Sequence, residues 1–339
     1  MAGEKRVVIT RTPFRMSFAG GGTDIPDYYR NYGGGAVVSA SINQYVYIIV
    51  AESFNENSIK MHYSKIENDV TNLDEIQHPS ARECLRYLGI TKGIEISTLA
   101  DAPAKGTGLG SSSSFAVGLL NALYAYKGEK ASPKDLAEKA IHIERNVLKE
   151  AGGKQDQYVA AYGGLLLMEF NKDDTTEVKR LQLSLKDREE LQKHLMLMYI
   201  GKERSSSEIH KVQANSVGNN ASSYKRMAEL AYMQAKAFEE GRWQETGKLL
   251  HENWMLKKTL GEGISNAYID RLYNTAIQNG AEGGKIIGAG GGGFFLFFAQ
   301  PEKHGRIIEA LPELRPLKFG FEDEGSKIIY EQGEPVTAK

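Results

Sequence analysis

The chain holds one cysteine, Cys84, so no internal disulfide can form, and its seven histidines stand singly, without the Cys or His spacing of a zinc site. A reducing cytoplasm is the expected home. Long apolar runs are missing too: Phe294 to Ala299 falls far short of the ~20 residues that a membrane-spanning helix needs. From Met1 to Phe18, Lys5, Arg6, Arg11 and Arg15 interrupt any apolar core of signal-peptide length. Neither a membrane nor secretion is therefore expected. Nor is there an excess of one charge, since 42 Lys and Arg face 43 Asp and Glu for a formal net charge of −1. Without a basic surplus to release counterions, a nucleic-acid partner is not expected. No internal repeat or low-complexity tail is visible.

With 339 residues, 25% charged and 41% apolar, the chain reads as an ordinary globular protein of two lobes, long enough for an enzyme. Its oligomeric state is not written in the sequence. The outlier is glycine: 36 residues, against a usual share of about 7%. The glycines are clustered, and the clusters are where function is to be sought.

Short β-branched runs, Val7 to Ile9, Ala36 to Val38 and Tyr45 to Val50, read as strands parted by glycine turns. Ile94 to Ser97 predicts a strand that leads through the loop Asp101 to Ser114 into a helix, where Phe115, Leu119, Ala122, Leu123 and Tyr126 recur at helical spacing. Ser132, Pro133 and Asp135 predict a capped helix start, and the helix should run to about Glu150. Tyr162 to Phe170 predicts a strand, and the polar stretch Asn171 to Asp187 a hinge between lobes. Helices are expected over Tyr224–Glu240, Trp243–Lys258 and Ser265–Gln278, followed by strand, glycine turn and strand over Gly284–Ala299.

Gly106, Thr107, Gly108, Leu109, Gly110, Ser111, Ser112 and Ser113 stand just before a helix, where unpaired N–H groups and the positive end of the helix dipole converge. That is an anion cradle, with hydroxyls for phosphate or Mg²⁺. No Gly-Lys-Ser/Thr ending is present, so it is not a Walker loop. Glu144 shares a helix face with Ala137, Ala140, Ile141, Val147 and Leu148, and an inward carboxylate needs a cation, either a side chain or a metal. Asp156 follows Gly152-Gly153 in a turn, a place where backbone hydrogen bonds alone could explain it. Arg15 and Asp24 flank Gly20-Gly21-Gly22, with Thr23, Tyr28, Tyr29 and Tyr32 nearby, a set suited to a polyhydroxylated ligand. Gly288 to Gly293 exceeds the needs of a hairpin and suggests a close approach to the phosphate site.

Three motifs in order, Pro13-Phe14-Arg15 to Asp24, Gly108-Leu109-Gly110-Ser111-Ser112 and Gly288 to Gly293, make the chain resemble the GHMP-family small-molecule kinases, the family of galactokinase, homoserine kinase and mevalonate kinase. Within it, the run Arg11 to Asp24 resembles the D-glycero-α-D-manno-heptose 7-phosphate kinases, which phosphorylate the anomeric hydroxyl on the route to GDP-heptose and surface glycans. The resemblance implies an α+β fold of two lobes, 1–180 with a left-handed βαβ crossover and 181–339 ferredoxin-like, with ATP, Mg²⁺ and a sugar phosphate meeting between them. It implies Asp156 as catalytic aspartate with Arg15 beside it, Glu144 and Ser112 as Mg²⁺ ligands, and Gly290 and Gly291 with the Gly106–Ser113 loop at the ATP phosphates. Gly21, Gly22, Thr23, Asp24 and Tyr28 would hold the sugar, and Lys105, Lys154 or Arg204 its distant phosphate, Arg204 first among them. A fucose or galactose kinase, a non-catalytic sugar sensor and a diphosphomevalonate decarboxylase are the alternatives the resemblance leaves.

Overall fold

The computed structural model describes residues 4–102, 106–201 and 206–336. Its first sheet begins with a long antiparallel pair, β1 (Val7–Ala19) and β2 (Gly35–Glu52), in register from Val7 opposite Ala51 to Ala19 opposite Val38. To these are added β3 (Ile59–His62), β4 (Ile66–Val70), β5 (Ile94–Ala100), β6 (Leu165–Phe170) and β7 (Thr176–Arg180). β3 and β5 run parallel, with the helix Pro79–Tyr87 between them in the chain. A second, four-stranded sheet comprises β8 (Leu195–Tyr199), β9 (Ala281–Ile286), β10 (Phe294–Ala299) and β11 (Arg315–Leu317) in the order β11-β8-β10-β9. All its pairs are antiparallel, with helices between β8 and β9 and between β10 and β11, the ferredoxin-like order. The last strand, β12 (Lys327–Gln332), returns to the first sheet and pairs with β1.

The helix Ser111–Tyr126 packs on β1 and β2, burying almost its whole circumference from Phe115 to Tyr126. Helices Ala221–Glu239 and Thr246–Lys258 both reach β1, and the second also lies against β9 and β10, so they join the two sheets. Phe18 of β1 meets Phe238 edge to face at 5.2 Å, one of the apolar contacts that close this junction.

Four expectations need correction. The runs Ala36–Val38 and Tyr45–Val50 belong to one strand, because the serines between them are buried with partners: Ser39 donates to Gln155 Oε1 at 3.0 Å and Ser41 to the Glu322 carbonyl at 2.7 Å. The predicted hinge is not one linker: Asn171–Thr175 turns β6 into β7, Thr176–Arg180 is β7 itself, and the helix Leu185–His194 begins within its last residues. Tyr162 ends the helix Gln155–Tyr162 instead of starting a strand, and Gly163 and Gly164, both at positive φ, make the change of direction. The capped helix is α-helical only over Pro133–Ile141, with Ser132 and Asp135 forming the expected capping box. It continues as a π-turn, His142–Val147, which sits at the candidate Mg²⁺ carboxylate.

Candidate active site

Two glycine-rich segments from opposite ends of the chain touch. A side chain at Gly108, whose φ is +74°, would place its Cβ 2.2 Å from the Ile287 carbonyl, and one at Gly293 would lie 2.3 Å from the Thr107 carbonyl. Only glycine lets these backbones approach so closely. The contact floors a cleft of about 420 Å³ whose wall includes Gly106, Gly110, Gly290 and the first helical turn Ser111–Ser113. The buried Thr107 hydroxyl, also on this wall, has no hydrogen-bond partner among the described residues. Two loop positions contribute differently from the rest: Leu109 buries its side chain in the core and offers its carbonyl to the Arg15 N–H at 3.0 Å. Gly291 does not belong with the phosphate donors, because its N–H is taken by the Ile264 carbonyl at 2.8 Å; Gly292 lines the cleft instead.

At the inner end, Arg15 grips Asp156 with two parallel bonds, Nε to Oδ1 and Nη2 to Oδ2, each 2.7 Å. Its third nitrogen donates to the Gly108 carbonyl, so one guanidinium fixes both the carboxylate and the loop. Asp156 lies in the first turn of the helix Gln155–Tyr162, not in a free turn, and remains partly open to the cleft.

Glu144 is 1% exposed and accepts from Ser112 Oγ at 3.1 Å, Ser113 Oγ at 2.9 Å and Gln157 Nε2. Among the described residues no lysine or arginine forms an ion pair with it. A buried carboxylate held by neutral donors alone, on the wall of a cleft, is one that a divalent cation fits. No cluster of three His, Cys, Asp or Glu stands ready to hold a metal among the described residues, so protein ligands alone would not complete the shell. Near it, burial and the charge of Glu144 raise the pKa of Glu150.

Behind Asp156 a smaller pocket opens, sharing Arg15, Arg145, His210 and Gly288 with the cleft. Asp24 forms its polar wall, 2% exposed, accepting from the N–H groups of Gly22 at 3.0 Å and Gln155 at 3.1 Å and from Gln155 Nε2 at 3.4 Å. Gly153 must be glycine here, since a Cβ would fall 1.8 Å from Asp24 Oδ2. Gly21 and Gly22 line the pocket as the sequence suggests. Thr23 and Tyr28 do not. Thr23 is fully buried and tied both ways to Ala36, fastening the loop to β2. Tyr28 is stacked between Tyr32 and Tyr224 in the core. Of the basic candidates, Lys154 is engaged by Asp174 at 3.3 Å and lies over the Tyr29 ring, while Lys105 and Arg204 fall outside the described residues.

Sequence reasoning missed Arg145, His210, Gln213 and Lys257, all on the pocket wall. Arg145 donates to the Gly153 carbonyl at 3.1 Å, bracing the turn before Asp156. Burial, reinforced by the charges of Arg145 and Lys257, holds the His210 pKa down to about 4. Burial and the nearby Arg15 lower that of Lys257 to about 8. Lys285, wholly buried beside Ser17 and Phe18, is pushed well below the usual lysine range by the same burial. The helical spacing Leu250, Asn253, Trp254, Lys257 could have exposed Lys257 as an inward cation.

The N-terminal domain of the GHMP kinases matches residues 77–164, and their C-terminal domain residues 234–316. A D-glycero-alpha-D-manno-heptose 7-phosphate kinase of Campylobacter jejuni is 31% identical over 337 residues, covering 95% of this chain and 98% of that protein. An L-fucokinase/L-fucose-1-P guanylyltransferase of Bacteroides fragilis is 28% identical, covering 92% of this chain and 36% of that longer one. The solved structure of a D-glycero-D-manno-heptose 1-phosphate kinase from Bacteroides thetaiotaomicron superposes with a TM-score of 0.78 and 26% identity, over 98% of this chain and 100% of that one. The first matched domain carries the glycine-serine loop, Glu144 and Asp156, and the second carries Lys257 and the glycine turn that closes on that loop. Likeness of this extent leaves no doubt of parentage: the chain belongs to the GHMP kinases, phosphotransferases that act on sugars among other small molecules.

Proposed function

We propose that the protein transfers the γ-phosphoryl group of ATP to the anomeric (C1) hydroxyl of D-glycero-α-D-manno-heptose 7-phosphate, giving the 1,7-bisphosphate for GDP-heptose and surface-glycan synthesis in the cytoplasm. The observation that carries this reading is the end-to-end likeness to a heptose 7-phosphate kinase, joined to a pocket in which Asp24 faces Asp156. The division into lobes at 180/181 is part of the same proposal, with β12 completing the first sheet.

ATP lies in the larger cleft with its phosphates along Gly106–Ser113 and the turn at Gly290, and the sugar occupies the smaller pocket with hydroxyls on Asp24. Glu144 and Ser112 hold Mg²⁺, which when bound neutralises phosphate charge. The C1 oxygen attacks the γ-phosphorus, its proton passes to an oxygen of Asp156, and the bond to the β-phosphate bridging oxygen breaks to release ADP. Arg15 orients Asp156 and balances its charge, so the acceptor meets a carboxylate already in position.

A panel of free sugars and sugar phosphates assayed for ADP release, with ³¹P NMR of the product, tests the reading. Turnover on the heptose 7-phosphate with a new anomeric phosphate supports it; preference for fucose or galactose overturns the acceptor. Fucose is the rival that a specific observation favours, the 28% identity to a fucokinase-containing protein.

A further inference from the structure

Lys257 lies on the inward face of the helix Thr246–Lys258, and its ammonium reaches the acceptor pocket with only 3% of the residue exposed. It donates to the Gly288 carbonyl, and among the described residues no carboxylate comes within ion-pairing distance. The carboxylates nearest in charge are already engaged: Asp156 by Arg15, and Asp24 by donors of Gly22 and Gln155. A second nitrogen base, His210, opens onto the same pocket and is neutral in this setting, its Nδ1 3.3 Å from Gln213 Oε1. An ammonium sealed from water without an anion is costly, so the pocket is built for something the described residues do not supply.

That missing anion belongs to the acceptor side. Lys257 and Gln213 line the smaller pocket and are absent from the wall of the nucleotide cleft. For a neutral sugar, Asp24 and the Gln155 amide already provide an acceptor and a donor; an additional buried cation is more than hydroxyl recognition requires. A phosphate monoester offers chiefly acceptors at neutral pH, and the ammonium of Lys257 matches it; His210, neutral and with its Nδ1–H given to Gln213 Oε1, adds no competing charge. Resting on the reading above, we propose that Lys257 receives the phosphate the acceptor already carries and thereby determines specificity for a phosphorylated over a free sugar. Lys154, committed to Asp174, is not needed for this.

The test compares kcat/KM for heptose 7-phosphate and for unphosphorylated heptose in the wild type, Lys257→Met, Lys257→Arg and Lys257→Gln. The wild type prefers the phosphorylated sugar. Lys257→Met lowers the ratio of the two kcat/KM values by about 10-fold or more, chiefly through KM for the phosphorylated sugar, while KM for ATP moves little. Lys257→Arg restores part of the ratio. An unchanged ratio, or an equal loss of kcat on both sugars, overturns the proposal, the latter assigning Lys257 to the group in flight or to the fold. If Lys257→Met fails to fold by circular dichroism, Lys257→Gln decides: its ratio falls several-fold if the ammonium recognises phosphate, and an unmoved ratio overturns it. A wild type indifferent to the 7-phosphate sinks the substrate reading as well, whereas a preference that survives both variants sinks only this assignment.

Discussion

The nucleotide cleft and the acceptor pocket meet at Arg15 and Asp156, yet they are made of different materials. The cleft is backbone and hydroxyl: two glycine segments in contact, a helix N-terminus, and Glu144 held by neutral groups. On the proposed reading, that arrangement receives a cation and a polyphosphate together. What the pocket does not share with the cleft is chiefly side chains, an aspartate, two glutamines and a lysine brought from four separate segments. Backbone suits a ligand common to many enzymes, because a phosphate chain is read by N–H groups whatever their side chains. Side chains suit the ligand that differs, because one substitution can alter the choice.

The sharpest break in this division is at the shared boundary. Asp156→Asn should reduce turnover by about 10²-fold or more while leaving ATP affinity within a few-fold, since it removes a proton acceptor but little volume. Steady-state rates and nucleotide titration read the two effects separately, and near-normal turnover in a folded mutant would move the base elsewhere. Within the cleft, Glu144→Gln should raise the Mg²⁺ concentration at half-maximal rate and depress kcat by about 10-fold, with acceptor KM little changed. The amide also puts an N–H toward the Gln157 donor. A variant that melts early with an unaltered Mg²⁺ requirement would mark Glu144 as structural.

Gly108→Ala should be milder. Positive φ and the Ile287 carbonyl force the loop and turn apart, costing about 1–3 kcal/mol and raising KM for ATP more than that for the sugar. Equal effects on both substrates would blur the two compartments. The smallest effect belongs to the pocket. In the unfolded chain Lys257 titrates near 10.5, in the fold near 8, so below pH 8 a charged lysine is buried at full cost. Lys257→Met should therefore melt later than the wild type at pH 7, and its advantage should shrink as pH rises from 8 toward 10. A constant difference across that range would deny the buried charge.

How much of this was legible in the chain follows from the same contrast. The glycine-serine loop is contiguous and announces itself, as does Glu144 through the apolar residues sharing its face. Asp156 looked like a turn residue because its partner lies 141 positions away. Lys257 obeys the rule that singled out Glu144, but no glycine cluster draws the eye to it. Thr23 and Tyr28 were assigned to the sugar because a hydroxyl and an aromatic beside Asp24 suggest a ligand; what decides is which way the loop faces, and β2 and Tyr224 turn both inward. The strand through Ser39 and Ser41 was hidden because polarity marks a turn only when the polar atoms lack partners within the fold.

The pairing of β12 with β1 has a temporal consequence. β1, which carries Arg15, leaves the ribosome before every other strand described, and β12, its neighbour over Val7–Arg11, follows them all. Until residues 327–332 emerge, that margin of the catalytic strand stays open, a row of bare N–H and C=O groups of the kind that recruits other chains. A nascent or truncated chain ending before Lys327 would thus be prone to clump through β1, making residues 327–332 a seal against aggregation.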